Sequence, residues 1–177
     1  MRFVATAILG ALPLAAAASA ASSASGSPES QSAPCDISAY VTDQDPNGLN
    51  VRAGPSGTAR VLRKVDNSAS SGVARIRGRS GAWYRVSRIV DAETDSTLFS
   101  GDGWVHGSLL GLDVANGDPT LYARPSARGP VLARLTADQS GVTLIGCEGR
   151  WAKVRADGRI GWLSPAGQCS NPLTTCS

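Results

Sequence analysis

Two stretches of this 177-residue chain carry the same short motifs in the same order, and that repeat limits what the chain can fold into. The first copy runs Leu49-Asn50-Val51-Arg52-Ala53-Gly54-Pro55-Ser56, Val61-Leu62, Trp83-Tyr84-Arg85-Val86 and Gly103-Trp104-Val105. The second runs Leu121-Tyr122-Ala123-Arg124-Pro125-Ser126, Val131-Leu132, Trp151-Ala152-Lys153-Val154 and Gly161-Trp162-Leu163. From Cys35 onward, short apolar stretches alternate with turn residues roughly every eight to twelve positions, and no long run carries a 3.6-residue period. The pattern predicts an all-β chain of two small barrels in tandem. The second copy reads as shorter at its Arg-Pro-Ser turn and between its tryptophans. There Ala156-Asp157-Gly158 stands in place of the longer excursion over residues 89–101.

Local chemistry agrees with strands and tight turns. Gly54-Pro55-Ser56 reads as a turn in which glycine is free to take positive φ and proline fixes the next φ. Asp157-Gly158 suits a two-residue hairpin of the primed type. Alternation places Tyr84 and Val86 on one face and Trp83 with Arg85 on the other. In the second copy it separates Ala152 and Val154 from Trp151, Lys153 and Arg155. The first tryptophan of each copy therefore shares a face with cations, at a rim or an outer surface. For Trp104 and Trp162, core and groove both remain open.

The ends of the chain read differently. Met1-Arg2, an apolar run over residues 3–18 and the small-x-small pattern Ala18-Ser19-Ala20 predict a cleaved signal peptide over residues 1–20. A Ser, Ala, Gly and Pro tract over residues 21–34 reads as a flexible linker. The expected domains are then residues 35–112 and residues 113–177. Four cysteines in an exported chain imply two disulfides. The sequence allows three pairings, of which Cys147–Cys169 with Cys35–Cys176 is the expected one. It would staple the second copy and tie the two chain ends together.

The motifs strongly resemble those of the bacterial SH3-type (SH3b) domain: an Asn-Val-Arg-x-Gly-Pro turn, a mid-domain Trp-x-x-Val strand and a closing Gly-Trp-Val strand. The first copy holds all three in order. The second keeps the two tryptophan motifs and has lost the Asn-Val and the glycine of the turn, as a degenerate copy would. The resemblance implies small five- to seven-stranded barrels in the cell envelope that bind peptidoglycan or a cell-wall peptide, or that position a neighbouring enzyme. Candidate ligand contacts are Asn50, Arg52, Trp83, Tyr84 and Trp104 in the first copy, with Trp151 and Trp162 in the second. The competing role for each tryptophan is to fill a barrel or the interface between the two.

Other chemistries find little support in the sequence. Seventeen Lys and Arg against 14 Asp and Glu give a net charge of +3, too weak for a nucleic-acid footprint. Arg75, Arg77 and Arg79, at strand spacing, read as a solvated sheet face. Asp43-Gln44-Asp45-Pro46-Asn47-Gly48 imitates a calcium loop, but Gly54 stands where the bidentate Glu is required. His106, the chain's one histidine, has Ser108 nearby but no Gly-x-Ser-x-Gly elbow, and reads as a hydrogen-bonding residue at a strand end. The expectation is a protein without catalytic activity, metal or cofactor, and without a nucleic-acid or membrane partner once the leader is removed. Its partner is peptidoglycan or a cell-wall peptide, or alternatively a periplasmic or secreted protein.

Overall fold

The computed structural model describes residues 33–66, 72–117, 119–136, 142–171, 173, 174 and 176. The expected signal peptide, and all of the linker except its last two residues, lie outside the described residues. The rest is strand, joined by turns and two single 3-10 turns. In chain order the strands are β1 (Ala33–Val41), β2 (Leu49–Arg52), β3 (Val61–Val65), β4 (Gly72–Ser80), β5 (Trp83–Asp91), β6 (Thr97–His106) and β7 (Leu110–Gly111). They continue with β8 (Asp113–Val114), β9 (Thr120–Tyr122), β10 (Val131–Arg134), β11 (Thr143–Glu148), β12 (Trp151–Ala156), β13 (Arg159–Leu163) and β14 (Gln168–Cys169).

The first sheet has the order β3-β2-β6-β5-β4-β1-β7, and the second has the order β10-β9-β13-β12-β11. Read as sequence positions within each half, 3-2-6-5-4 and 10-9-13-12-11 are the same topology. Each half ends alike: a 3-10 turn (Gly107–Leu109 or Pro165–Gly167) leads to a two-residue strand that pairs with the half's lead-in strand. Thus β7 pairs with β1, and β14 with β8. Register shifts in the β1–β4, β4–β5 and β5–β6 ladders mark irregularities of the bulge type, which bend a strand and let a sheet curl.

The expected alternation is present. Tyr84, Val86, Ala152 and Val154 are buried, while Trp83, Arg85, Trp151 and Lys153 are half-exposed. Asp157 (φ 47) and Gly158 (φ 72) both adopt the left-handed conformation that a primed hairpin needs. The positive-φ glycines of the first half are Gly48, Gly81 and Gly101, so the Gly54 turn is built without the left-handed residue expected there. The glycine of each Gly-Trp motif is fixed by packing. A Cβ on Gly103 would stand 2.3 Å from Val51 Cγ1, and one on Gly161 would stand 2.6 Å from Leu121 Cγ. Both glycines lie where the neighbouring β2 or β9 strand sends its core side chain.

One continuous apolar core runs through both halves. It includes Leu49, Ile76, Tyr84 and Ile89 from the first and Leu121, Leu144, Val154 and Leu163 from the second. The strand β1 joins them. It pairs with β4 along most of its length, and at its start Cys35 forms a parallel bridge with Gly149 in the β11–β12 turn. Asp36 N–H donates to Gly149 O (2.6 Å) and Gly149 N–H to Pro34 O (3.0 Å). Near the other end of β1, Tyr40 Oη donates to Asp113 Oδ1 on β8 at 3.0 Å.

The disulfides correct the sequence expectation. They are Cys35–Cys147 and Cys169–Cys176, in place of Cys147–Cys169 and Cys35–Cys176. The reason is the path of β1. By bridging to Gly149 it brings Cys35 to a Cα distance of 5.6 Å from Cys147, within the span a disulfide can close. Cys176 is left to a short local loop with Cys169. The tail closes back on the segment after β8, where Asn116 N–H donates to Cys176 O at 2.7 Å. Two disulfides fit a chain that matures in an oxidising compartment. Among the described residues no helix is long and apolar enough to cross a membrane.

Candidate functional site

The outward face of the first sheet carries a row of three residues across three strands. Arg52 on β2 is the register partner of Trp104 on β6, and Trp104 is the register partner of Arg85 on β5. Gly103 and Val105 on either side are buried, so Trp104 points outward: it belongs to a surface and not to the core. Cross-strand neighbours on one face lie close enough to interact directly. Arg52 Nη1 donates to Ala59 O (2.9 Å), which ties its guanidinium to the turn beside it. Arg85 Nε and Asn50 Oδ1 are buried and find no hydrogen-bond partner among the described residues.

Two residue pairs further along the ladder, and so on the same face, Trp83 faces His106. Their rings meet edge to face, with centroids 5.1 Å apart and planes at 77°. His106 Nδ1 stands 2.7 Å from Ser108 Oγ and accepts a long 3.4 Å bond from Ser108 N–H. The imidazole thereby caps the 3-10 turn that closes this half. Of the candidate contacts, Tyr84 is placed differently from the others. It is 2% exposed, and its hydroxyl is pushed up to about 12 by burial, opposed by the Arg79 charge. Its role is in the core, on the inward face of β5 that the alternation had indicated.

The second half repeats the row with different chemistry. Trp162 on β13 is the register partner of Tyr122 on β9 and of Lys153 on β12. Lys153 Nζ lies 5.6 Å from the centroid of the Trp162 ring, a cation–π arrangement. Trp151 meets Tyr122 edge to face, centroids 5.6 Å apart at 85°. The turns before β3 and β10 are of equal length, contrary to the shorter second turn expected from sequence. Ala53 N–H bonds Arg60 O (2.9 Å) as Ala123 N–H bonds Pro130 O (2.8 Å). That equivalence makes Tyr122 the counterpart of Arg52, and it makes Gly54 the counterpart of Arg124.

Sequence reasoning therefore missed Tyr122, Arg85 and Lys153 as partners of the tryptophans. The signal for Arg85 and Lys153 was their shared parity with Trp83 and Trp151. The signal for Tyr122 was the equal spacing to Val61 and Val131. The first row, Arg52–Trp104–Arg85, offers an indole between two cations. The second, Tyr122–Trp162–Lys153, offers two rings and one ammonium. Indole faces stack on sugar rings and amide planes, and guanidinium or ammonium groups beside them bind carboxylates.

The calcium-like segment is an acidic turn. Asp43 Oδ1 accepts from Asp45 N–H and Asp45 Oδ1 accepts from Asn47 N–H and Nδ2, each at 2.9 Å. These bonds from Asn47 hold the Asp45 carboxyl below its ordinary value.

Residues 47–111 match the family of bacterial SH3 domains. That segment holds the Arg52–Trp104–Arg85 row and the Trp83–His106 pair. No curated protein matches the chain. Among solved structures, it is similar to NlpC2 from Trichomonas vaginalis, at 16% identity and a TM-score of 0.35, over 76% of this chain and 48% of that one. It is likewise similar to NlpC1 from Trichomonas vaginalis, at 16% identity and a TM-score of 0.33, over 75% and 45%. The chain spans about half the length of these two proteins.

Proposed function

We propose that this is a non-enzymatic binding module of the bacterial cell envelope, which recognises peptidoglycan or a cell-wall peptide through the outward faces of its two halves. The halves, residues 35–112 and 113–177, are read as tandem SH3-type units, the second degenerate in sequence. The observation that carries the reading is the repeated row of an outward tryptophan between a β2-type and a β5-type neighbour. Arg52–Trp104–Arg85 suits the carboxylates of a wall peptide, and Tyr122–Trp162–Lys153 suits a sugar ring flanked by an anionic group. The bacterial SH3 match over the first half and the two disulfides support an exported setting. The test is co-sedimentation with purified sacculi at low and physiological salt, using the whole mature chain and its Trp83→Ala, Trp104→Ala and Trp162→Ala variants. The expected result is binding by the parent chain and weaker binding by at least one variant of an outward row. A parent chain that stays in the supernatant at both salt concentrations counts against the proposal.

A second reading, docking of a protein partner, is favoured by a separate observation. The edge strands β3 and β10 each expose a Val-Leu pair: Val61 and Leu62 in one, Val131 and Leu132 in the other. An open edge with apolar side chains is a template for an added strand. Envelope crosslinking that captures one stoichiometric partner, lost in Leu62→Glu or Leu132→Glu, would support this reading over the first.

A further inference from the structure

A cluster of arginines lies away from both tryptophan rows, toward the open end of the β4–β5 hairpin. Arg75 on β4 is the register partner of Arg88 on β5, and Arg77 follows two residues later on β4. Like charges directly opposite in a sheet are destabilising, so this arrangement costs stability in the unliganded protein. Arg75, Arg77 and Arg88 line a cleft of about 470 Å³ whose other walls include Ser38, Ser87 and Ser100. A smaller cleft of about 170 Å³ adjoins it through Ser38 and Arg75 and adds Arg150. Asp36 is the single carboxylate among the residues described as lining the two.

How the existing bonds are spent narrows the ligand. Asp36 Oδ1 accepts from both Arg75 Nη2 and Arg77 Nη1, each at 2.5 Å. Arg77 Nε makes a long bond to Ser87 Oγ (3.4 Å), and Arg88 Nη2 donates to Thr97 Oγ1 (2.9 Å). A guanidinium has five N–H donors, and among the described residues each of these three arginines engages one or two of them. Four arginines against one carboxylate leave room for more than one negative charge. Three arginines reaching one cleft from two strands call for more acceptor oxygens than a single carboxylate provides. A phosphoryl group meets both requirements, and arginine forks fit its geometry.

We propose that the cleft over β1, β4 and β5 is a binding site for a phosphoryl-bearing anion, held by Arg75, Arg77 and Arg88 with hydroxyl donors from the surrounding serines. The site goes beyond the wall-binding reading and does not depend on it. Its ligand would sit on the outer surface of the first half, at the far end of the β4–β5 hairpin from Trp83. An anion there would replace the Arg75–Arg88 repulsion with charge-assisted hydrogen bonds.

The test is calorimetric titration of the whole mature chain with pyrophosphate at low salt, with acetate as the monocarboxylate comparison. Saturable pyrophosphate binding is expected, with none for acetate at equal concentration. Arg88→Ala should weaken it roughly tenfold, the order set by one charge-assisted bond. Because Arg88 is exposed, does not pair with Asp36 and stands opposite Arg75, a melting temperature at or above that of the parent chain separates lost binding from lost fold. Arg63→Ala, on the exposed strand β3 outside the cleft, should bind like the parent chain. Absence of saturable pyrophosphate binding overturns the proposal. So does equal weakening by Arg63→Ala and Arg88→Ala, which would mean diffuse attraction to a basic surface. Vesicles of phosphatidate in phosphatidylcholine separate the sources. Vesicle binding that pyrophosphate displaces identifies a lipid headgroup, and pyrophosphate binding without vesicle binding identifies a soluble phosphoryl compound. Either supports the site.

Discussion

Cys35, at the start of the first strand, is covalently joined to Cys147 in the second half, across a sequence separation of 112 residues. With the Cys35–Gly149 bridge and the continuous core, this bond makes the two halves one structural unit. Peptide mapping without reductant should recover the Cys35 peptide linked to the Cys147 peptide. Recovery of Cys35 with Cys176 would contradict this path for β1.

The two disulfides should differ in their effect on stability. The chain-entropy view gives about 5 kcal/mol for a loop as long as that of Cys35–Cys147 and about 2 kcal/mol for one as short as that of Cys169–Cys176. The Cys35→Ser/Cys147→Ser double variant should therefore melt well below the Cys169→Ser/Cys176→Ser variant. Equal melting temperatures would mean that β1 is held to the second half mainly by other contacts.

Gly161→Ala should cost about 1–3 kcal/mol, because its new methyl meets Leu121 in a packed interior. Denaturant unfolding checks this. Gly158→Ala should also destabilise, through its left-handed backbone, with no packing loss. Adding Leu121→Ala to each variant distinguishes the two causes. Space opened at Leu121 should relieve part of the Gly161→Ala cost, the close approach to the Tyr122 carbonyl oxygen (2.9 Å) remaining, and leave the effect of Gly158→Ala unchanged.

Two tyrosines make stability sensitive to alkali. Tyr84 is raised to about 12 by burial, and Tyr40 to about 12 by burial, the Asp113 charge and the hydrogen bond to Asp113. An unfolded tyrosine titrates near 10. The folded state therefore favours the neutral phenol. That contribution is whole below about pH 10 and is lost as pH climbs through about 12. Chemical denaturation across this range should show the loss, and it should be smaller in Tyr84→Phe. A Tyr84→Phe profile identical to the parent would contradict the assignment.

Asp91 is a buried acid at the end of β5 whose Oδ1 accepts from Glu93 N–H and Thr94 N–H, both at 2.9 Å. These bonds shape the turn into β6, the excursion that the second half replaces with Asp157-Gly158. Asp91→Ala should cost about 1–3 kcal/mol by removing the charged acceptor of two turn hydrogen bonds, measurable as a lower denaturation midpoint. A midpoint within error of the parent would show that the turn holds without the carboxylate.

Much of the fold was legible because period-two patterning is local. The alternation through Trp83-Tyr84-Arg85-Val86 and the Asp157-Gly158 turn each follow from adjacent residues. The disulfide pairing was not legible, since it depends on β1 crossing from its own sheet to the β11–β12 turn. No local pattern records that contact. The site was half legible: parity placed Trp83 and Trp151 outward with cations, but register alone shows Trp104 between Arg52 and Arg85. Tyr84 was expected at the surface as a ligand contact even though its parity matched the core residue Val86. The Arg75–Arg88 opposition was hidden for the same reason, because cross-strand partners are not adjacent in sequence.

The most direct test of wall recognition is a titration of the isotopically labelled mature chain with soluble muropeptides, following the indole N–H signals of its four tryptophans. The expected result is saturable movement of the Trp104 or Trp162 signal, lost when the moving residue is replaced by alanine. Signals that all stay fixed, or that move without either of those two, would contradict recognition through the outward rows.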